Sequence, residues 1–510
     1  MDHMEFKYFG EYELFKPRQI SERRFKQLAN SFLISKCGIR EYCDPTIVNE
    51  IIKSFYNLCS DLLEKEFIKL ASWDFMEFVL YQFDQASSIE QLYKNGKLNE
   101  TEKSNWVRIG PTFRRAAKFI SEKITTFSPE NSPSIPESQY LETFEMIWIC
   151  AEEMVRSYMA SDTTYLLFPE NTLLRILPES DETYWTFTSG SFLHNQFQEF
   201  IRIDTINRKR FISGKFFPED HDKHDEILGE ELKKHVGVTY KTAIGVIANV
   251  IENSRPDPDG LPVPFIKYDS IISQLSENLK CSEEIIEKVL SGFIIPKKTE
   301  SNEVRELWNP KQEYRAYIRG FFEFPHPTGK HIIFSKNLAS ESLQLLIVNA
   351  VSQKLPKEWR NEAIDIVLSK LAKEAGQWFE NTVIENLNSI GIHGVNPKRN
   401  IGSKGNSLRI PNDVGEIDFL GYSSADKAMI ICEFKMVAPS FEPKYIRDDV
   451  SEFIADKNSY KNKFKKKIQW VIQNNQKVLE SLKSEKKLPS NMQIKSINSV
   501  GLNCFRSSCC

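Results

Sequence analysis

The segment from Val414 to Met436 constrains the fold of this chain more than any other stretch. It contains two short apolar runs, at 417–420 and 428–432, and a polar segment at 423–426 separates them. Short apolar runs bounded by turn residues are typical of buried strands. The segment therefore predicts two neighbouring strands that form a hairpin, in a sheet that is covered on at least one face.

Three charged residues interrupt these apolar runs: Asp418, Glu433 and Lys435. Side chains two residues apart in a strand share a face, so Glu433 and Lys435 point the same way, and a hairpin can bring Asp418 beside them. Buried charges are costly unless they are paired or bind a metal. One explanation is a structural salt bridge. The other is a Mg²⁺ or Mn²⁺ site for phosphodiester hydrolysis, in which the lysine orients water and stabilises negative charge.

The order of these residues resembles the PD-(D/E)XK superfamily of restriction-endonuclease-like nucleases. Asp418 stands at the first acidic position, with Ile417 in place of the family's proline, and Glu433-Phe434-Lys435 matches the second half of the motif. In that family the helix before the strands carries an acidic residue, and Glu380 fits this position. The resemblance covers residues 370–480, which is less than a third of the chain.

The resemblance implies a catalytic set of Asp418, Glu433, Lys435 and Glu380. It implies that Asp418, Glu433 and the backbone carbonyl of Phe434 bind Mg²⁺ or Mn²⁺, while Glu380 completes the metal shell through water or holds a second ion. DNA is the favoured substrate because most relatives with this motif cut DNA. The motif itself does not distinguish DNA from RNA.

Basic residues near the predicted strands could contact a nucleic-acid backbone. From Gly376 to Cys510 the chain carries 20 Lys and Arg against 14 Asp and Glu, although the whole chain has a net charge of −3. Such a basic segment suits a polyanionic substrate. The candidates lie on a loop at 391–412 and on a helix expected from about Tyr445: Lys398, Arg399, Lys404, Arg409, Lys463, Lys467 and Gln469. A solvated loop and a lysine-rich solvent face explain these residues equally well.

The pattern along the chain predicts a multidomain protein. We expect a mostly helical N-terminal domain at 1–160, a mixed α+β middle region at 161–360, and a restriction-endonuclease-like α/β domain with a central mixed sheet at 361–510. Apolar residues at helical spacing in Pro45–Phe83 support the first assignment, and short alternating runs between Tyr165 and Phe217 support the second.

Two motifs in the middle region have functional and structural explanations. The segment Asp220–Asp225 contains two histidines beside carboxylates, but their spacing matches no well-defined metal site, so a polar turn is favoured. The segment Tyr268–Ile295 predicts a helix pair that is weakly similar to a helix-turn-helix. The second helix carries three glutamates: Glu283, Glu284 and Glu287. Because phosphates repel these carboxylates, a plain helical hairpin is favoured.

The sequence also excludes some locations and classes. No segment offers 18 apolar residues, and the N-terminus lacks a signal-peptide pattern, so we expect no membrane span and a cytoplasmic location. The 9 Cys are scattered without a C-x-x-C pair, which is typical of free thiols in a reducing compartment. No G-x-x-x-x-G-K-[ST] loop occurs before residue 370, so no ATP site is expected there.

The large region before the predicted nuclease carries no enzyme motif. This layout resembles bacterial anti-phage effectors and restriction enzymes, and by that analogy residues 1–370 sense a trigger, read sequence, bind a regulatory partner or assemble a homo-oligomer. Two alternatives stay open. The chain could be a catalytically inactive nucleic-acid-binding or scaffold protein with a nuclease-like fold. It could also be a nuclease that is inactive until a ligand binds the N-terminal region.

Overall fold

The computed structural model describes most of the 510 residues. The described ranges are 4–70, 73–127, 135–162, 172–178, 185–188, 217–256, 260–297, 306–308, 312–326, 328–402, 407–423, 425–436, 448–449, 451–455, 457–484 and 496–504. Within these ranges the protein is mostly helical and contains several small sheets. None of the described helices combines the length and the apolar character needed to cross a membrane.

The N-terminal part is a helical bundle preceded by a β-hairpin. Its elements are β1 (Glu5–Phe9), β2 (Tyr12–Lys16), α1 (Gln19–Cys37), β3 (Glu41–Tyr42), α2 (Pro45–Leu70), α3 (Trp73–Lys94), α4 (Glu100–Phe127), α5 (Glu137–Asp162), β4 (Leu173–Ile176) and β5 (Trp185–Thr188). Their apolar faces pack into one core rich in Phe and Trp. The predicted helical character is confirmed, whereas the β1–β2 hairpin was not predicted.

The short strands after α5 pack with the N-terminal part. β4 pairs with β3 on one side and with β5 on the other, so β4 and β5 complete a sheet that begins at residue 41. Both strands fall where alternating apolar runs predicted strands. The runs at 165–168 and 200–204, also predicted as strands, lie outside the described residues.

The middle part combines helices with a four-stranded sheet of order β6-β9-β8-β7. Its elements are α6 (His221–Val236), α7 (Tyr240–Asn253), β6 (Phe265–Lys267), α8 (Tyr268–Leu279), α9 (Glu283–Ser291), β7 (Ile294–Ile295), β8 (Phe321–His326), β9 (Gly329–Ile333) and α10 (Lys336–Ala350). The predicted helix pair is confirmed as α8 and α9. The three glutamates of α9 are exposed, so the electrostatic argument against phosphate contact still applies.

The prediction of a polar turn at Asp220–Asp225 is wrong, because this segment begins α6. Asp220 is the N-cap, and its side chain accepts a hydrogen bond from the backbone N–H of Lys223 at 3.3 Å. A capping aspartate satisfies one of the amide groups that the first helical turn leaves unpaired. His224 is then buried beneath the helix rather than exposed in a turn.

Buried ion pairs join the N-terminal and middle parts. Arg315 binds Glu122 of α4, and Lys123 of the same helix binds Glu306. The hydroxyl of Ser335, at the start of α10, donates to Asp84 of α3 at 2.7 Å. Side chains from both parts also share the N-terminal core. These contacts cross the boundary expected at residue 160.

The C-terminal part is an α/β unit with a mixed four-stranded sheet of order β10-β13-β14-β15. Its elements are α11 (Glu362–Ser389), β10 (Ile392–Val395), β11 (Asn400–Ile401), β12 (Leu408–Arg409), β13 (Phe419–Ser423), β14 (Ala428–Met436), α12 (Tyr460–Gln473), α13 (Asn475–Ser484) and β15 (Ser496–Cys504). β10, β13 and β14 are antiparallel, and β15 runs parallel to β14. Where a helix is expected from about Tyr445, residues 448–449 are helical, Ser451–Ala455 form a π-helical turn, and α12 begins at Tyr460 with Ser459 as its cap.

The long helix α11 belongs to both the middle and the C-terminal parts. Its first half buries Ile364, Leu368 and Leu371 in the core of the middle part. Its second half lays Phe379 and Val383 against the C-terminal sheet. The predicted helix is confirmed, and Asn361 caps it by accepting a hydrogen bond from the N–H of Ile364. One continuous element therefore connects the C-terminal sheet to the rest of the protein.

Candidate active site

The predicted hairpin is formed by β13 and β14. Phe419 pairs with Cys432, and the ladder runs to the turn, where Ser423 pairs with Ala428. The hydroxyl of Ser423 donates to the Asp426 carboxylate at 2.7 Å, which stabilises the turn. Asp418 lies immediately before β13, at the end of the hairpin away from this turn. The hairpin geometry thus places Asp418 opposite the last residues of β14.

Alternation along β14 sorts its side chains between two covered faces. Ile430, Cys432 and Phe434 pack toward α11, whereas Met429 and Ile431 pack toward α12 and α13. Helices on both faces explain why these strands are nearly continuously apolar. By the same alternation, Glu433 and Lys435 lie on the face covered by α12.

The structure brings Asp418, Glu433 and Lys435 together. The Lys435 Nζ atom lies 3.2 Å from Glu433 Oε1 and 4.0 Å from Asp418 Oδ2. The side chains of Asp418, Glu433 and Lys435 are 15 %, 12 % and 29 % exposed. The cluster is therefore partly buried yet open on the lysine side. The Lys435 ammonium thus lies within 4.0 Å of both carboxylates, as the hairpin prediction required.

Asp418 is held beside a second negative charge. Burial raises its pKa to about 6, and the Glu433 carboxylate adds to this effect, while the Phe434 N–H and the Lys435 and Lys467 ammoniums oppose it. The Phe434 N–H donates to Asp418 Oδ2 at 2.8 Å. The part of the Phe434 carbonyl as a metal ligand stays a prediction.

Lys467 is part of the cluster, although the sequence suggested only a nucleic-acid contact. Its Nζ atom lies 2.5 Å from Glu433 Oε2, and the residue is 7 % exposed. The signal for this position was present in the helical spacing of α12. Phe464, Ile468 and Val471 form its apolar stripe, and position 467 falls within that stripe. The neighbouring lysines between 461 and 466 made position 467 look like part of a solvent-exposed face.

The other candidates on α12 face solvent. Lys463 is exposed and lies 5.3 Å from the centre of the Tyr460 ring, and Lys435 lies 5.2 Å from the same ring. Tyr460 therefore separates the buried cluster from an exposed lysine. Gln469 is exposed and is rotated about 200° from Lys467 around the helix, so it points away from Glu433.

The basic loop before β13 lies beside the strand that leads to Asp418. Lys398 forms an isolated bridge with Ile417, and Arg399 contacts Glu416 at 3.4 Å. Arg409 is exposed on β12. Lys404 lies outside the described residues. The described members of this loop thus lie near the start of β13, with Arg399 partly neutralised by Glu416.

Glu380 lies on α11, on the opposite face of the sheet from Lys467. The Asn396 side-chain amide donates to Glu380 Oε2 at 3.1 Å, and the Oδ1 atom of Asn396 is buried without a hydrogen-bond partner. Asn396 follows β10, whose Val395 pairs with Leu420, so it lies near the start of β13. Among the described residues, no three His, Cys, Asp or Glu side chains form a metal-binding group. The role of Glu380 stays a prediction.

The donor atoms at the hairpin end suit a hard divalent cation. Two carboxylates and one backbone carbonyl are the oxygen ligands that Mg²⁺ and Mn²⁺ prefer. Burial is the main cause of the raised pKa of Asp418, and the Glu433 carboxylate adds to it. A cation between Asp418 and Glu433 would stabilise the ionised form of both carboxylates. The residues present therefore fit such a metal.

Comparison of the chain with protein-family models, with curated proteins and with solved structures found no match.

Proposed function

We propose that the C-terminal part is a Mg²⁺- or Mn²⁺-dependent nuclease of the PD-(D/E)XK type that hydrolyses phosphodiester bonds in DNA. The observation that carries this proposal is the convergence of Asp418, Glu433 and Lys435 at one end of the hairpin. The preceding helix, the hairpin and a following helix occur in the order that the motif resemblance implies. A cytoplasmic location is part of the same proposal.

Each side chain has a distinct task in the proposed reaction. Asp418, Glu433 and the Phe434 carbonyl bind the cation, and the Phe434 N–H fixes the orientation of Asp418. Lys435 orients the attacking water and stabilises the negative charge that develops on the phosphate. The cation, when bound, would polarise the phosphate and lower the pKa of water. Exposed basic residues, including Lys398, Arg409 and Lys463, hold the nucleic-acid backbone.

The N-terminal and middle parts would control this activity. They are joined by buried ion pairs, and α11 continues from the middle core onto the nuclease sheet. Such a continuous helix can transmit a change in one part to the position of the other. We propose a role in anti-phage defence, in which these parts sense a trigger, bind a regulatory partner or assemble copies of the chain.

A second candidate is a catalytically inactive nucleic-acid-binding or scaffold protein. The observation in its favour is the pairing of Glu433 with both Lys435 and Lys467, which neutralises this carboxylate without a metal. In that case the cluster would be a structural salt bridge. The nearby basic residues would still bind phosphates, but no bond would be cut.

The two candidates are separated by cleavage assays on plasmid DNA and RNA with Mg²⁺, Mn²⁺ or EDTA. The wild-type protein, Asp418→Asn and Lys435→Met are compared with Glu416→Gln, a matched control on the same segment whose side chain is more exposed. We expect EDTA-sensitive cleavage of DNA, a loss of at least about 10²-fold in both site variants, and unchanged cleavage by the control. Equal rates in the wild type and both site variants would contradict the proposal.

An inactive wild type would be examined by Mn²⁺ binding. Binding that Asp418→Asn removes would indicate a nuclease awaiting its trigger. Nucleic-acid binding without any Mn²⁺ binding would support the scaffold.

A further inference from the structure

Lys467 holds Glu433 in a fixed position. The Lys467 side chain is buried against the sheet, and its ammonium lies 2.5 Å from Glu433 Oε2. Among the described residues, Glu433 is the single carboxylate within 4.0 Å of this ammonium. A buried ammonium without a partner would be strongly unfavourable, so the pair is expected to persist while the site holds no other cation.

Both oxygens of Glu433 are occupied by ammoniums. Lys435 contacts Oε1 at 3.2 Å, and Lys467 contacts Oε2. A divalent cation bound to Glu433 must therefore displace or repel at least one lysine. Lys435 also lies 4.0 Å from Asp418 Oδ2, so it keeps a carboxylate neighbour if it leaves Glu433. Lys467 has no such alternative among the described contacts.

The Lys467 side chain has little freedom to withdraw. It leaves α12 at a position within the apolar stripe that contains Phe464 and Val471. The loop before β13 lies against its aliphatic part, because a Cβ built on Gly415 would lie 3.8 Å from Lys467 Cε. The ammonium consequently stays close to Glu433, where its positive charge opposes the approach of a second cation.

We propose that Lys467 competes with the divalent cation for Glu433 and thereby weakens metal binding by the resting protein. This inference rests on the proposed function. Metal binding then depends on the position of α12 relative to the sheet. Any partner or substrate that draws the Lys467 ammonium away from Glu433 promotes metal binding. A nucleic-acid phosphate has the charge required to do so.

The competition is tested by Mn²⁺ binding to the full-length protein without nucleic acid, measured by electron paramagnetic resonance and calorimetry. We expect Lys467→Met to bind Mn²⁺ about tenfold or more tightly than the wild type. Lys467→Gln, which is neutral but retains a hydrogen-bond donor, should also bind more tightly. Lys466→Met, which removes a neighbouring exposed lysine, is the matched control and should bind as the wild type does.

The outcomes separate this inference from the proposed function. Unchanged or weaker Mn²⁺ binding by both folded Lys467 variants, with binding that Asp418→Asn abolishes, would overturn the competition and leave the metal site in place. If the wild type, Lys466→Met and both Lys467 variants bind no Mn²⁺, the proposed function and the inference both fail. Thermal unfolding of each variant establishes that it is folded before binding is compared.

Discussion

Two clusters of buried charged residues in this protein differ in how their charges are paired. In the first, Arg315 Nε lies 3.0 Å from each oxygen of Glu122, and the Ala316 N–H donates to the same carboxylate at 2.6 Å. These two side chains are 4 % and 1 % exposed. In the second, Asp418 and Glu433 lie beside each other, Lys435 lies near both, and Lys467 contacts Glu433. The first cluster pairs one cation closely with one carboxylate, whereas in the second both close ammonium contacts go to Glu433 and Asp418 has one ammonium at 4.0 Å.

The difference distinguishes a cluster whose charges are satisfied within the fold from the one that the proposed function would use. A fully paired and hydrogen-bonded carboxylate satisfies the requirements for a buried charge, as Glu122 does. Asp418 does not, because burial and Glu433 raise its pKa to about 6 despite two nearby ammoniums. A carboxylate whose pKa is raised by burial and by a neighbouring carboxylate, in a partly open site, is typical of a binding or catalytic centre. Substitutions in the two clusters should therefore have opposite effects on stability.

The largest effect is expected at the structural cluster. Arg315→Met leaves Glu122 buried without its cation, and we expect the free energy of unfolding to fall by about 3–5 kcal/mol. Arg24→Met is the matched control, because Arg24 pairs with Glu142 at 3.4 Å and both side chains are largely exposed. It should cost less than about 1 kcal/mol. Urea unfolding measures the free energy of unfolding of both variants. Equal losses would contradict the assignment of Arg315 and Glu122 as a structural cluster.

The opposite sign is expected for Asp418→Asn. The asparagine removes the unfavourable charge and keeps an oxygen that can accept from the Phe434 N–H. An increase of the Asp418 pKa from 3.8 to about 6 corresponds to at most about 3 kcal/mol. In EDTA at pH 7.5 the variant should therefore be more stable than the wild type by up to this amount.

The pH dependence of this difference follows from linkage. The folded-state pKa of Asp418 lies above the unfolded value, so the folded protein binds more protons between about pH 4 and pH 6. The Asp418 contribution to stability therefore becomes more unfavourable as the pH rises through this window. The advantage of Asp418→Asn should shrink at pH 5, with Glu416→Gln as the control. A variant less stable than the wild type at both pH values would contradict the assignment.

The smallest effect is expected at the exposed basic residues. Lys463→Gln should weaken DNA binding and reduce the slope of log affinity against log salt by about 1, because one phosphate contact is lost. The measurement uses fluorescence anisotropy of a short duplex in EDTA, which prevents cleavage. Lys36→Gln, an exposed lysine of the N-terminal part, should change neither quantity. An unchanged slope in Lys463→Gln would indicate that the nucleic acid does not contact Lys463.

The parts of the structure that follow from local pattern were predictable from the sequence. The hairpin was indicated by two apolar runs and a turn, and the convergence of Asp418, Glu433 and Lys435 follows from strand alternation. The helix at 362–389 carries apolar residues at helical spacing, among them Phe379 and Val383. In each case the information lies within a few residues of the element that it specifies.

The parts that depend on packing between distant elements were not predictable in this way. Lys467 reaches Glu433 across 34 residues of sequence, and its burial depends on how α12 packs on the sheet. Asp220 begins a helix because His224 and the following apolar residues find a core, which the polar composition of that segment did not reveal. The ion pair of Glu122 with Arg315 likewise joins segments 193 residues apart. The fold around the cluster determines these contacts.

The central claim is that Asp418 and Glu433 bind a divalent cation, and the most direct test is a crystal structure of the protein soaked in Mn²⁺. We predict an anomalous scattering peak about 2.1 Å from oxygens of Asp418 and Glu433 and from the Phe434 carbonyl. Data collected from an Asp418→Asn crystal should lack this peak. A saturated wild-type crystal without a peak, in which Lys435 and Lys467 still contact Glu433, would contradict the claim.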